Sequence, residues 1–355
     1  MVFRIGFFCL FCISLFGVEN VYLKTPNISQ QEIIGTNVGI RPFRKSGVRL
    51  ESQLLQDKLI IHNYGYGGSG LTLSFGGATE VLKILDNQKK SSKSVAVLGG
   101  GVVGLTTAYD LLEKGYEVHL YSDQWNPNLT SNVAAGIWTP LSFPHDLSEE
   151  KKSLHQRMLE VSEQRFLKST GDHPEFSGVK TIWYYRLIAD TSQNTIDPTR
   201  ESVVVHLDNG LIKNGQRIRR LGIDGKLFME DLYSKVKHKG AVLHQKYFNT
   251  IEDVLSLKET IIINCMSMGS RQVFNDQEFI PVRGQLVYFE PQADIDYVLS
   301  QGIPNSEYFV AIYPCNDRLI LGGVFEMGQE EALLINPDVI NEIIQNGQKC
   351  LSGEL

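Results

Sequence analysis

Three glycines spaced Gly99-x-Gly101-x-x-Gly104 stand directly after the apolar run Val95-Ala96-Val97-Leu98 and open a helical pattern from Leu105 to Lys114. This spacing suits a pyrophosphate. Gly99 permits the tight turn, Gly101 lets phosphates approach the backbone, and Gly104 lets helix and strand pack closely. The helix N-terminus adds free N–H groups and partial positive charge. Asp123 lies 22 residues after Gly101, at the end of the strand-like stretch Glu117 to Tyr121, placed to accept from a ribose hydroxyl. Strand, helix, second strand and acid in register read as a dinucleotide site.

A second glycine loop runs His62-Asn63-Tyr64-Gly65-Tyr66-Gly67-Gly68-Ser69-Gly70-Leu71-Thr72 and feeds an apolar-faced helix from about Leu71 to Leu85. Its backbone N–H groups can meet a ligand; taken alone it also reads as a flexible turn before a structural helix. Thr130 and Ser131 offer two hydroxyls to phosphate, and the small residues of Val133-Ala134-Ala135-Gly136 allow close backbone approach. Arg41 precedes Pro42, which biases its backbone to an extended conformation and holds its side chain out of a helix.

Further elements follow from pattern. Lys58 to His62 alternates as a strand, and Leu147 to Lys168 and Leu227 to Lys239 read as helices. Thr260 to Met266 is a buried strand, Pro281 to Tyr288 begins another, and Tyr308 to Gly323 forms an antiparallel pair around Cys315-Asn316-Asp317. A helix from Pro337 to Gln345 closes the chain, and His155 belongs to a solvated helix face. Asp86 to Lys93 carries no apolar residue and reads as a linker.

At 355 residues, with 42% apolar and 21% charged residues, the chain suits two packed globular domains. A net charge of −6 and the lack of a basic cluster beyond Lys89-Lys90 and Arg217-Ile218-Arg219-Arg220 argue against nucleic acid as a partner. Cys9 and Cys12 lie in an N-terminal apolar run. Cys265, Cys315 and Cys350 are scattered, so neither a disulfide framework nor a metal site is expected. Arg4 followed by Ile5 to Val18, about 14 apolar residues against the ~20 of a membrane span, suits a cleaved leader over residues 1–20. Export, periplasmic or secreted, is expected if that leader operates, and a cytoplasmic protein otherwise; an uncleaved anchor is the other reading.

The residues resemble the FAD-dependent D-amino-acid oxidase and D-aspartate oxidase family. Val133-Ala134-Ala135-Gly136-Ile137-Trp138 with Pro140, Asn264-Cys265 with Gly269-Ser270-Arg271, Pro281-Val282-Arg283-Gly284-Gln285 and Leu321-Gly322-Gly323 look like its motifs in its order. The resemblance covers Ser94 to the end. Gly39-Ile40-Arg41-Pro42-Phe43-Arg44 and the second glycine loop look like the family's C-terminal segment, here placed in front. The chain therefore resembles a circular permutant, with the usual termini joined through the linker. The implied fold is α/β: a Rossmann-type FAD-binding domain plus a substrate domain on a mixed, largely antiparallel sheet. After the leader the implied order is a substrate-domain piece (21–45), an FAD-binding piece (46–85), the linker (86–93) and the Rossmann unit (94–143). Substrate domain (144–228), FAD-binding domain (229–277) and substrate domain (278–355) then follow.

In that family a D-amino acid gives its α-hydrogen as a hydride to flavin N5. O₂ reoxidises the flavin to yield hydrogen peroxide, and the imino acid hydrolyses to a 2-oxo acid and ammonia. The resemblance implies no catalytic side chain, because the flavin carries the chemistry. It implies that Arg41 holds the substrate carboxylate with two parallel hydrogen bonds and that Gly68 lies near the substrate amine. Gly67, Gly70, Leu71 and Thr72 would face the flavin, Thr130 and Ser131 the phosphates, Ala135 and Gly136 the cofactor, and Phe248 the adenine.

Three positions depart from the pattern. A carboxylate-holding tyrosine is replaced by Ala311, with Tyr308 and Tyr313 as nearby stand-ins or as packing residues. The family's Asn-Cys-Thr-Gly run reads Asn264-Cys265-Met266-Ser267, and the arginine after the ribose acid is Gln124. The expected partners are a small-molecule D-amino acid and O₂, with a homodimer as one assembly. A related amine oxidase or dehydrogenase (one for glycine, for example), a catalytically degenerate FAD-binding protein and an NAD dehydrogenase are the alternatives.

Overall fold

The structure, a computed structural model, describes residues 18–88, 92–127, 129–133, 135–139, 147–188, 197–328 and 333–355. The expected leader up to residue 17, residues 89–91 of the linker, Ala134 and Pro140 lie outside them. Among the described residues two sheets organise the chain. The smaller has the order β11 (Val242–Gln245), β6 (Glu117–Ser122), β5 (Ser94–Leu98), β12 (Ile261–Asn264), β4 (Lys58–Tyr64), β3 (Arg49–Leu55). Its first five strands are parallel and β3 is an antiparallel edge.

Parallel strands covered on both faces read as unbroken apolar runs. Here Leu59, Ile61, Val95, Val97, Ile261 and Ile263 face one core. That core is built with α1 (Gly70–Gln88), α2 (Val102–Glu113) and α5 (Gly225–His238). Ile60, Ala96, Leu98 and Ile262 face the other, with α6 (Ile251–Leu255) and α7 (Gly269–Val273). The helix expected from Leu147 forms as α4 (Glu149–Leu167) and packs on α1, so its apolar face serves the small sheet. Phe75, Phe166, Phe176 and Phe228 lock these helices together, fully buried with ring centroids 5.2 to 6.2 Å apart. Each such ring contributes about 1.5–3 kcal/mol by burial.

The larger sheet runs β1 (Glu19–Leu23), β9 (Glu201–Leu207), β10 (Ile212–Asp224), β8 (Val179–Leu187), β14 (Tyr297–Gly302), β15 (Tyr308–Pro314), β16 (Leu319–Val324), β13 (Phe279–Phe289), β17 (Glu326–Met327). In addition β2 (Ile33–Arg44) pairs with β13, and β7 (Ala135–Ile137) with β10. It is mixed and largely antiparallel, as expected. The leader boundary expected at residue 20 falls inside β1, whose Glu19 makes two hydrogen bonds with Arg217 at 3.0 and 2.6 Å.

Alternation gives the larger sheet two different faces. Val205, Tyr185, Leu299, Val310, Ile312, Leu321 and Val287 pack under α8 (Pro337–Ser352). This helix runs past the expected Gln345 and stops at Gly353, whose φ of 86° ends it in the left-handed region. The opposite face carries Arg41, Gly284, Tyr313, Val298 and Tyr184, and the small sheet's glycine loops reach β2 beside it.

Candidate active site

The dinucleotide cradle forms where β5 turns into α2. Gly99 has φ 114°, a conformation L side chains rarely adopt, and its N–H donates to the Tyr121 carbonyl at 2.7 Å. A β-carbon on Gly104 would collide with the Gly99 carbonyl, so the close strand–helix packing depends on that glycine. Gly101 is the N-cap of α2 and has no side chain to cap it. Ser131, in α3 (Thr130–Val133), takes that role: its Oγ accepts from Val102 N–H at 3.1 Å. Thr130 is exposed beside it, and its methyl lies 3.3 Å from where a β-carbon on Gly39 of β2 would stand.

The second glycine loop comes to the same place. A β-carbon on Gly70, at the start of α1, would stand 3.6 Å from the Val102 side chain, so the N-termini of α1 and α2 lie side by side. Leu71 packs against Gly136 of β7, and Thr72 Oγ1 donates to the Thr139 carbonyl at 3.1 Å. Ala135 and Gly136 pair with Asp224 and Ile223 of β10. Gly67 is buried with φ 57° and donates its N–H to the Pro42 carbonyl at 3.1 Å, which ties the loop to Arg41's strand. Gly68 is exposed in the same loop. Two adjacent helix N-termini, a bridging hydroxyl and a backbone bare of β-carbons fit the pyrophosphate of FAD. Asp123 stands exposed at the end of β6. Phe248, beyond β11, is buried edge-on against Tyr121 at 6.0 Å.

Arg41 is half-buried on β2. Its guanidinium carbon lies 4.5 Å over the Phe325 ring, and Nη1 donates to the Val324 carbonyl at 3.3 Å. It runs across Gly284 of β13, where a β-carbon would collide with Nη1 and stand 3.0 Å from Cζ. Among the described residues no carboxylate pairs with it. Loss of water around the group lowers its pKa, and the neighbouring Tyr313 opposes that shift. A desolvated cation without a counter-charge is costly for folding alone, and an incoming carboxylate would offset the cost. Its neighbour Arg44 is bound differently: its Nε donates to Asp276 at 2.9 Å.

Tyr313 shares that face, its hydroxyl pushed up by burial, with Tyr184 adding and Arg41 opposing. It lines a cavity of about 200 Å³ together with Gly136, Ile137, Ile182, Gly222 and Val298. Tyr308 is placed elsewhere. It packs with Val310 and Ile312 against the α8 core, and burial, reinforced by a hydrogen bond with Glu342, pushes its hydroxyl up to about 12. The expectation that Tyr308 could replace the missing tyrosine beside Arg41 is therefore corrected, because the strand aims it through the opposite face. Sequence reasoning missed Gly284, whose role depends on the β2–β13 register. It also missed Tyr184, which reaches the site from β8.

The family described as FAD dependent oxidoreductase matches residues 94–355. The D-amino-acid oxidase of Streptomyces coelicolor is 27% identical over 260 residues, covering 72% of this chain and 75% of that protein. Human D-aspartate oxidase is 27% identical over 260 residues, covering 70% and 72%. Among solved structures, the L-α-glycerophosphate oxidase of Mycoplasma pneumoniae with FAD bound has a TM-score of 0.51 at 16% identity. It covers 72% of this chain and 77% of that one, a likeness of fold.

Proposed function

This chain belongs to the FAD-dependent oxidoreductase family, and from that premise we propose that it oxidatively deaminates D-amino acids at the Arg41 face. The products are hydrogen peroxide, ammonia and a 2-oxo acid, the last two from hydrolysis of the imino acid. The hydride acceptor, and the route of electrons onward to O₂, are what bound FAD supplies. Gly99, Gly101, Gly104, Ser131 and Thr130 would hold its pyrophosphate, Asp123 its ribose and Phe248 its adenine side. Gly70, Leu71 and Thr72 would meet its ring end.

The observation that carries the substrate assignment is Arg41, a half-buried guanidinium stacked on Phe325 and lacking a carboxylate partner among the described residues. Its planar fork offers an amino-acid carboxylate two parallel hydrogen bonds. Tyr313 lines the cavity on the same face, where partial removal of water strengthens such a pairing.

The same reading takes residues 21–85 as a permuted C-terminal segment. Two observations support it. The family match begins at residue 94, and β4, although it precedes β5 in the chain, pairs in parallel with β12 inside the dinucleotide sheet. Peroxide and 2-oxo acid formation from D- and L-isomers, measured on FAD-loaded protein, tests the proposal. Product from D-isomers is expected, and product from L-isomers alone would reject it.

A further inference from the structure

The strand of Arg41 ends where the chain passes between the two sheets. β2 leaves the larger sheet after Arg44, and the chain enters β3 of the smaller sheet at Arg49. A second crossing runs from the end of α7 at Val273 to the start of β13 at Phe279. Arg44 and Phe279 are register partners, so the two crossings stand side by side. Asn275, at φ 49°, turns the second crossing through a left-handed conformation that asparagine tolerates. The next residue, Asp276, is buried.

Asp276 gathers both crossings and one further strand. Its Oδ2 accepts from Arg44 Nε at 2.9 Å and from the Tyr64 hydroxyl at 2.8 Å, and its Oδ1 accepts from Glu278 N–H at 3.0 Å. Arg49 stands 3.8 Å from Oδ2 and donates from Nη1 to the Tyr64 oxygen at 2.9 Å. Burial pushes the Asp276 carboxyl up, but the bonds from Tyr64, Arg44 and Glu278 outweigh it and hold the group below its ordinary value. Bonds to an ionised acceptor are the strong ones, so this carboxylate fixes the groups around it. Tyr64 is the last residue of β4, and the second glycine loop starts at the next residue. That loop lies along β2. Gly67 N–H donates to the Pro42 carbonyl at 3.1 Å, and a β-carbon on Gly65 would stand 3.0 Å from Arg44 Cδ. Asp276 therefore ties the strand that carries Arg41 to the loop that opens α1.

We propose that Asp276 is a positioning residue for the oxidation. Acting through Arg44 and Tyr64, it fixes the offset between the carboxylate anchor on Arg41 and the glycine loop that would meet the cofactor's ring end. This inference rests on the deaminase reading above. Arg41 decides whether a carboxylate binds, and the offset decides whether the α-carbon then stands at reacting distance. Rate is the more sensitive of the two, because a misplacement of about 1 Å can cost on the order of 100-fold.

The test uses FAD-loaded wild type, Asp276→Asn, which keeps the shape and removes the charge, and Tyr64→Phe, which removes one hydroxyl. FAD affinity is measured first. Binding of butyrate, a carboxylate without an amine, is then followed by calorimetry and by the flavin difference spectrum it produces. Last comes the limiting rate of anaerobic flavin reduction at saturating D-amino acid. Asp276→Asn should bind FAD and butyrate as wild type does, while its limiting rate falls about 10- to 100-fold and its butyrate difference spectrum shrinks or shifts. Tyr64→Phe should show the same split to a smaller extent, and it decides the question if Asp276→Asn does not fold. Flavin-loaded variants that are reduced at the wild-type rate, with only the thermal midpoint lowered, would overturn the proposal, because that marks a structural carboxylate. So would a loss of butyrate affinity in step with the rate, which places the effect on the anchor itself. If butyrate binds wild type but no D-amino acid reduces it, the deaminase reading fails, and the variants' butyrate spectra still decide the role of Asp276. If neither acts on wild type, both are rejected.

Discussion

Replacing Gly284 with alanine should separate substrate binding from every other property of this protein. Gly284 lies in the interior of β13, opposite Gly39 of β2, and its backbone is not in the left-handed region, so alanine adds no backbone strain. The one consequence is steric. The new methyl would overlap Nη1 of Arg41 and stand 3.0 Å from both Cζ and Nη2, a tight contact at each. The neighbour is the end of a flexible side chain, so the guanidinium shifts and the sheet keeps its register. Its anchors are modest: one hydrogen bond of 3.3 Å and the Phe325 stack, together worth about 1–2 kcal/mol. A shift of several tenths of an ångström breaks the two-pronged fit to a carboxylate and should cost about 1.5–3 kcal/mol of substrate binding. Steady-state peroxide assays on Gly284→Ala should show KM for D-amino acids raised about 10- to 100-fold. FAD affinity and the thermal midpoint should stay near wild type. An unchanged KM would refute the placement of the substrate carboxylate on Arg41, as would loss of FAD with KM intact.

Two further outcomes are expected. Ser131→Ala removes the hydroxyl that accepts from Val102 N–H, costing about 1 kcal/mol at the start of α2. FAD should bind several-fold more weakly by flavin fluorescence quenching, and equal affinity would remove Ser131 from the cradle. His62, wholly buried in β4, is pushed down to about 3, first by burial and then by the charge of Arg49, against an unfolded value of about 6.5. The unfolded chain therefore binds the extra proton first, and stability falls as pH drops below about 6.5. Between pH 7.5 and 5 urea melts should show wild type losing about 2 kcal/mol more than His62→Asn; equal losses would contradict the assignment.

What could be read from sequence divides along the range of the interactions. The turn at Gly99 to Gly104 and its flanking strand and helix were legible, because the conformation of Gly99 and the contact of Gly104 with the Gly99 carbonyl are local. The amphipathic helices α4 and α5 followed from their own periodicity, while α8 outran its expected end because its apolar stripe continues through Cys350 and Leu351 to Gly353. Strand alternation already separates Tyr308 from the Ala311 and Tyr313 face, a signal that resemblance to a family tyrosine obscured. Gly284 was not legible, because it matters through a pairing with β2 some 240 residues earlier. Residues 19–55, polar at first sight, supply three strands because they complete sheets begun elsewhere in the chain.

The role of Arg41 is tested most directly by anaerobic reduction of the bound flavin. Wild type and Arg41→Ala, both loaded with FAD, are mixed with D- and L-amino acids without oxygen, and the oxidised band is followed. D-isomers alone should bleach wild type, and Arg41→Ala should keep its flavin spectrum but lose that response at the same substrate concentration. Bleaching of wild type by L-isomers, or undiminished bleaching of Arg41→Ala by D-isomers, would contradict the assignment.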